Sequence, residues 1–341
     1  MRPSRTADAS VQPVDDPIAA DLRMRAQIES AMQGLIDPHA PFALLGVPSP
    51  VDVGDCATYL GEFSWLSDGD RTPGYVGAIS PFNWLKMDGR IGDGPILLHG
   101  SGQVGDAGAL ADAFREAVLW RYRGRRVVQL PQRLQFASQA AIDRTARVIA
   151  RHGAFTLLVR DRASHDLAVR SFDCDVRMCP DPAFGIEPLA RGRSSRPLVI
   201  LLRARGEVPE SDRHALARYG DAVFADWPTG PAGRLSWSER ARAVATTLQD
   251  KARVRPAAVS YARAKAGLTH GLGLLRSAEV VVTDRLDVHI LCVLLGTVHY
   301  LIDPGVGEVS DWLATWNTAG AGVHRVASIT EALARYQAMN R

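Results

Sequence analysis

Apolar residues in this chain come in short runs that stop abruptly at charged or glycine-rich turns, and between the runs they recur at helical spacing. The sharpest case is Val280-Val281-Val282-Thr283-Asp284-Arg285-Leu286-Asp287-Val288-His289-Ile290. The β-branched run reads as a buried parallel strand that ends at Thr-Asp-Arg. A helical pattern then begins and carries Ile290, Leu291, Val293, Leu294 and Leu295. The same alternation predicts strands over 42–47, 75–79, 95–98, 126–130, 155–159 and 176–179. Helices are expected over 18–36, 58–66, 108–122, 138–151 and 167–172. A proline at 131 is expected to end the strand before it.

A Gly-, Arg- and Ser-rich stretch at 184–197 reads as a linker, and a second alternation follows it. Strands are expected over 197–202, 222–226, 279–283 and 298–302. Helices are expected over 210–219, 238–253, within 261–276 as one or two short pieces, over 288–295 and near 330–339, with a turn-rich segment at 304–322. Repeated βα units argue for an α/β fold of two Rossmann-like parallel-sheet domains with a cleft between them. The expected organisation is a disordered tail at 1–17, an N-terminal domain at 18–185, a C-terminal domain at 195–320, and a C-terminal helix at 327–341 packing back on the first domain.

Composition narrows this picture. A chain of 341 residues has room for two domains with real cores. Net charge is 40 − 37 = +3, too small to argue for a nucleic-acid partner, and mean hydropathy is −0.06. No apolar run reaches the length of a membrane span, and the polar start of the chain lacks a secretory core, so a cytoplasmic protein is expected. The four cysteines, Cys56, Cys174, Cys179 and Cys292, form no CxxC pair, which argues for reduced thiols and against zinc. No metal ligand set stands out.

In open α/β sheets, ligands sit beyond the carboxyl ends of the strands, so the loops there are the candidate site. Asp52-Val53-Gly54-Asp55 precedes a helix. Gly54 would let a ligand approach the backbone at a helix N-terminus, or Asp55 simply caps the helix. His99-Gly100-Ser101-Gly102-Gln103-Val104-Gly105 matches Gly-x-Gly-x-x-Gly. The acidic residue expected about 20 positions on is replaced by Arg125, Arg126 and Gln129, which argues against NAD and leaves a phosphate- or sugar-facing loop or a tight structural turn. Arg160-Asp161-Arg162 ends a strand and suits an anion or a capped helix. Arg203 and Arg205 end the first strand of the second half, as cleft groups or as a solvated cluster. In the opening motif Asp284 caps a helix or pairs with Arg285, and His289, about one turn into the helix, reads by itself as a hydrogen-bonded structural histidine.

Taken together and in order, these phrases resemble the polysaccharide pyruvyl transferase family. They are Gly54-Asp55, Leu97-Leu98-His99-Gly100-Ser101-Gly102 with Gly105-Asp106, Val127-Val128-Gln129-Leu130-Pro131-Gln132, and Val159-Arg160-Asp161-Arg162-Ala163-Ser164. Cys179-Pro180-Asp181, Val282-Thr283-Asp284-Arg285-Leu286 with His289-Ile290, and Leu294-Leu295-Gly296 complete the set, which runs from about residue 40 to 316. The resemblance implies a fold similar to the GT-B glycosyltransferases, with a central cleft. It implies transfer of a pyruvyl group from phosphoenolpyruvate, as co-substrate and without a cofactor, to two hydroxyls of a sugar, giving a cyclic ketal. The acceptor would be a sugar or lipid-linked oligosaccharide of an exopolysaccharide or cell-surface glycan, at the inner face of a membrane.

By position, the resemblance assigns Arg285, Asp287 and His289 to catalysis. The candidate substrate-binding residues are Gly54, Asp55, His99, Gly100, Ser101, Gly102, Arg160, Asp284 and Glu308, with Arg203 and Arg205 added from their place at a strand end. The chain departs from the family at three places. Asp287-Val288 stands where the family usually has His-Gly, Glu308 where it tends to have Lys, and Gln103 where Asn is commoner. An aspartate at 287 repels a phosphate, and a glutamate at 308 reverses the sign of a donor-binding cation. These changes keep open a transferase with another donor, such as a nucleotide sugar, or a non-catalytic role in glycan assembly.

Overall fold

The computed structural model describes residues 17–37, 40–47, 52–66, 73–80, 82–100, 102–105, 109–203, 223–225, 227, 258–316 and 322–339. The expected disordered tail, Ser101, Arg205, and the helices expected over 210–219 and 238–253 lie outside the described residues.

After α1 (Pro17–Met32), the first unit comprises β1 (Ala43–Leu45), α2 (Val53–Leu66), β2 (Tyr75–Gly77), α3 (Trp84–Ile91), β3 (Ile96–Leu98), β4 (Gln103–Val104), α4 (Ala109–Arg121), β5 (Val127–Leu134), α5 (Gln139–His152), β6 (Phe155–Val159), α6 (Arg162–Ser171) and β7 (Asp175–Met178). A 3-10 turn at Pro182–Gly185 follows. The second unit comprises β8 (Arg196–Leu201), β9 (Val223–Ala225), α7 (Ala258–Ser277), β10 (Ala278–Thr283), α8 (Leu286–Leu295), β11 (Val298–Ile302), α9 (Glu308–Trp316), β12 (Val323–Val326) and α10 (Ile329–Met339).

Both sheets are parallel throughout. The first has the order β2-β1-β3-β5-β6-β7, with β4 paired to the far half of β5. The second has the order β12-β11-β10-β8-β9. Each is an α/β Rossmann-like unit, as the βα alternation predicts. The strand order reverses between β1 and β3 in the first sheet and between β8 and β10 in the second, and such switch points open a crevice at the carboxyl ends of the strands. The candidate loops leave from these ends.

The strands are buried on both faces, which is why they read as unbroken apolar runs rather than alternating ones. The two units share one core, in which α2 packs on α7. A Cβ on Gly271 would lie 2.4 Å from Val53 Cγ1, and one on Gly267 would lie 2.9 Å from Cys56 Sγ, so glycines at these positions let the two helices close.

Three expectations change. Pro131 does not end its strand: β5 runs on to Leu134, and a register shift between Gln129 and Gln132 absorbs the missing N–H. The turn-rich segment contains α9, whose start is masked in the sequence by Gly305 and Gly307, both at positive φ. The C-terminal helix α10 packs on β11 and β12, burying Ile329, Ala332 and Leu333 in the second unit's own cluster rather than returning to the first. At the other end of the chain, α1 meets both the 3-10 turn and α8.

Candidate functional site

An open pocket of about 560 Å³ lies where the carboxyl ends of the two sheets face each other. Asp52, Gly54, Asp55, Thr58, Gly102, Gln103, Arg160 and Asp181 line it from the first unit. Arg203, Arg285, Asp287 and Glu308 line it from the second. Eight of the residues expected at the site therefore converge: Gly54, Asp55, Gly102, Arg160, Arg203, Arg285, Asp287 and Glu308.

Three helices point their N-termini at this pocket, and each carries an acid in its first turn: Asp55 in α2, Asp287 in α8 and Glu308 in α9. Exposed N–H groups and the helix dipole favour negative charge at such ends. At α2 the backbone N–H of Asp55 donates to Asp52 Oδ1 at 3.0 Å, so Asp52 is the cap and the Asp55 side chain faces the pocket. Gly54 is needed for closure. A Cβ there would lie 2.7 Å from Asp287 Oδ2 and 2.8 Å from Asp287 Cβ, across the unit boundary.

On the second unit, Thr283 Oγ donates to the Leu201 carbonyl at 2.7 Å and accepts from the Arg285 N–H at 3.1 Å, tying the ends of β8 and β10 together. The Arg203 N–H donates to Asp284 Oδ1 at 2.9 Å, so Asp284 shapes the loop. Burial raises the Asp284 pKa against the pull of Arg203. The Arg285 guanidinium grips Asp287 with two bonds of 3.2 Å, from Nε to Oδ1 and from Nη2 to Oδ2. It also lies 3.7 Å from Asp52 Oδ2 and 5.9 Å over the ring of Trp227, whose indole N–H donates to Asp287 Oδ2. Both oxygens of Asp287 thus accept hydrogen bonds, the pattern of an ionised carboxylate rather than an acid.

Arg160, at the end of β6, donates to Asp181 Oδ2 at 3.1 Å and to Glu308 Oε1. Arg203 donates to Glu308 Oε2. Burial works against all three charges. The mutual attraction wins, holding Arg160 and Arg203 above the ordinary arginine range and Glu308 below the ordinary carboxylate range. Asp161, between the two arginines of its loop, caps α6 through the Ser164 N–H at 2.7 Å.

His99 and Gly100 lie behind the pocket wall. His99 Nδ1 is 2.6 Å from Glu62 Oε2, and the Gly100 N–H donates to Glu62 Oε1 at 2.7 Å. Burial alone would lower the His99 pKa, but the charge and hydrogen bond of Glu62 raise it. Gln129 and Gln132 donate to the His99 carbonyl at 3.0 and 3.3 Å, and the buried Arg115 donates in turn to both amides. The Gly-x-Gly-x-x-Gly pattern has a packing reason. A Cβ on Gly100 would lie 2.7 Å from the Pro131 carbonyl oxygen, and one on Gly105 would lie 1.8 Å from that of Gln135.

His289 is not at the site. It is fully buried on the core face of α8, with Nδ1 2.7 Å from His299 Nε2. Desolvation and the second histidine hold its pKa well below the usual value. The reason is helical geometry: two residues on from Asp287, position 289 falls on the opposite side of the helix, in the apolar interior. Sequence reasoning missed Trp227, Thr58 and the buried Glu62, and it quoted Asp52 and Asp181 within motifs without placing them at the site. Glu62 carried a readable signal, an acid inside the apolar run of α2. Trp227 carried none, since its partner Asp287 is 60 positions away.

All four cysteines are free, and the described residues bring together no group of three His, Cys, Asp or Glu able to hold a metal. Burial pushes the Cys56 thiol up to about 12, so it is no nucleophile. Among the described residues no helix is long and apolar enough to cross a membrane.

Comparison with known proteins adds a family to this geometry. A family model described as "Polysaccharide pyruvyl transferase" matches residues 62–305. The chain is 26% identical over 295 residues to "Pyruvyl transferase 1" of Schizosaccharomyces pombe, covering 80% of this chain and 69% of that protein. It is 27% identical over 230 residues to "Putative pyruvyl transferase EpsO" of Bacillus subtilis, covering 65% of this chain and 69% of that one. A crystal structure of a functionally uncharacterised protein from Klebsiella pneumoniae aligns with a TM-score of 0.45 at 14% identity, covering 86% of this chain and 91% of that one.

Proposed function

Because the chain belongs to the polysaccharide pyruvyl transferase family, we propose that its cleft transfers the pyruvyl group of phosphoenolpyruvate to two hydroxyls of a glycan. The observation that carries this reading is the convergence of Arg160, Arg203 and Arg285, from both units, on one pocket ringed by helix N-termini. A donor bearing a phosphate and a carboxylate needs such clamps.

The steps balance as follows. A proton adds to the methylene carbon of the donor, C2 becomes electrophilic, and a sugar hydroxyl oxygen bonds to C2 and gives up its proton to a base. The C2–O bond to phosphate then breaks, and the second hydroxyl closes the ketal and loses its proton. Asp287, a carboxylate held by Arg285 and Trp227, suits the base. The acceptor would be a sugar or lipid-linked oligosaccharide of a surface glycan, met on the cytoplasmic face of a membrane. The test offers phosphoenolpyruvate with a panel of oligosaccharides and follows phosphate release together with pyruvate bound to the sugar as an acid-labile ketal. Phosphate release dependent on both donor and sugar is expected. Its absence with every acceptor, together with no binding of phosphoenolpyruvate, would overturn the reading.

A second reading has its own observation. Five carboxylates, Asp52, Asp55, Asp181, Asp287 and Glu308, line the pocket against three arginines, an excess that suits a donor less charged at the reacting end. A transferase using a nucleotide sugar fits that balance. Thermal stabilisation by a nucleotide sugar but not by phosphoenolpyruvate would select it.

A further inference from the structure

Glu308 does within the chain what a bound anion would do. Its Oε1 accepts from Arg160 Nη2 at the end of β6, and its Oε2 accepts from Arg203 Nη2 at the end of β8. One carboxylate, with one guanidinium on each oxygen, therefore bridges the two units. That is the charge-assisted geometry by which arginines hold a free carboxylate. Glu308 is the first residue of α9, so the bridge also sits on a helix N-terminus. Its side chain is 16% exposed and opens onto the pocket.

The segment that delivers it turns at two glycines. Gly305 and Gly307 hold φ values of 86° and 98°, and a Cβ on either would meet nothing within 4 Å. The rest of α9 has its own anchors on the first unit. Arg133 Nη2 lies 2.8 Å from Asp311 Oδ2, and the Trp316 indole N–H donates to the Arg160 carbonyl at 2.7 Å. Glu308 can therefore leave the arginines while the helix stays docked.

We infer that Arg160 and Arg203 form a carboxylate subsite of the donor pocket and that Glu308 fills it as an internal surrogate until the donor's own carboxylate displaces it. The inference rests on the pyruvyl-transfer reading for the identity of the donor, but not for the existence of the subsite. It places the phosphate of the donor at Arg285, whose partners are Asp287 and Asp52 rather than Glu308. It also gives the acid at 308 a role: an anion too weak to displace the surrogate does not occupy the cleft.

Removing the surrogate should open the subsite to a free carboxylate. In Glu308→Ala, acetate is expected to raise the melting temperature relative to chloride at equal ionic strength, whereas wild type should not respond. In Glu308→Gln, calorimetry should find phosphoenolpyruvate bound at least tenfold more tightly than by wild type. Equal acetate responses in Glu308→Ala and wild type would overturn the subsite, even if phosphoenolpyruvate binds both proteins. Acetate rescue of Glu308→Ala with no binding of phosphoenolpyruvate to any form would leave the subsite standing and overturn the donor reading. If Glu308→Ala does not fold, the Glu308→Gln titration decides: tighter binding supports the surrogate, and unchanged or weaker binding overturns it.

Discussion

His99 follows β3 beside the cleft of the first unit, and His289 lies early in α8 behind the cleft of the second. Both are buried, at 6% and 0% exposure, yet their surroundings shift their pKa values in opposite directions. His99 meets the carboxylate of Glu62, which also holds the Gly100 N–H, and its pKa is raised. His289 meets His299, whose own Nδ1 faces the Thr297 carbonyl at 2.9 Å. A carbonyl only accepts, so His299 carries its proton on Nδ1 and presents a bare Nε2, to which His289 Nδ1–H donates. The chain from His289 to Thr297 is a neutral relay of hydrogen bonds, and both pKa values are lowered, that of His299 to about 4. The contrast separates two kinds of buried histidine: one is tied to a carboxylate that also fixes a loop beneath the pocket, the other is a polar tie between a helix and a strand.

The largest expected effect comes from breaking the charged member. Glu62→Ala leaves the His99 ring and the Gly100 N–H buried without their acceptor. Losing one side of a buried ion pair should cost about 3–5 kcal/mol. Chemical denaturation measures it, and a loss below about 1 kcal/mol would mean that His99 is neutral and the contrast false.

Neither histidine touches the pocket, so the charge work of the cleft falls to the arginines. Arg285→Ala removes the group that grips Asp287 and faces the pocket. In the phosphate-release assay, kcat/KM should fall by about 10²–10³, the usual loss for one preorganised electrostatic contact. A change under tenfold would put the donor elsewhere.

The neutral pair predicts a pH limb. Histidines in the unfolded chain titrate near 6.5, while His289 and His299 resist protonation when folded. Between pH 6.5 and about 4 the unfolded state binds more protons, so stability falls as pH falls, by on the order of 3 kcal/mol over the whole range for His299. The His99–Glu62 contribution has the other sign. It is fully present below pH 6.5 and is lost as pH rises through the raised pKa of His99. The lowered Glu308 does not interfere, since its contribution is lost only as pH drops through a value beneath the ordinary 4.5. Denaturation curves at pH 6.5, 5.8 and 5.0 isolate the limb, and equal stability at all three would remove the neutral pair.

The same contrast shows how far the sequence could be read. The strand ends were legible, because apolar runs that stop at Arg160, Arg203 and Arg285 mark the carboxyl edges of parallel sheets, and the pocket lies there. The family phrases were legible in order. Illegible was anything settled by a partner far along the chain. His289 stands two residues from Asp287 and entered the site by resemblance, yet the turn of the helix puts it in the core. Glu62 lies 37 residues before His99, and Trp227 lies 60 before Asp287. Glu308 read as a reversed charge, and the pair of arginines that gives the reversal a meaning comes from two different sheets.

The smallest effect tests how complete each cluster is. The relay from His289 ends on a backbone carbonyl. Beside His99, by contrast, the hydroxyl of Tyr59 is buried without a hydrogen-bond partner among the described residues, its ring 5.9 Å from the imidazole in an edge-on arrangement. Burial and the nearby Glu62 charge raise the Tyr59 pKa, so the ring stays neutral and contributes mainly its apolar area. A buried hydroxyl without a partner adds a desolvation penalty and no bond. Tyr59→Phe should therefore leave stability unchanged or raise it by up to about 1 kcal/mol. A matching deletion in the relay, His299→Phe, would strip the acceptor from His289 and should destabilise. If Tyr59→Phe instead lowers the melting temperature, the hydroxyl belongs to the charged cluster, and the Glu62–His99 group is a network as complete as the relay it contrasts with.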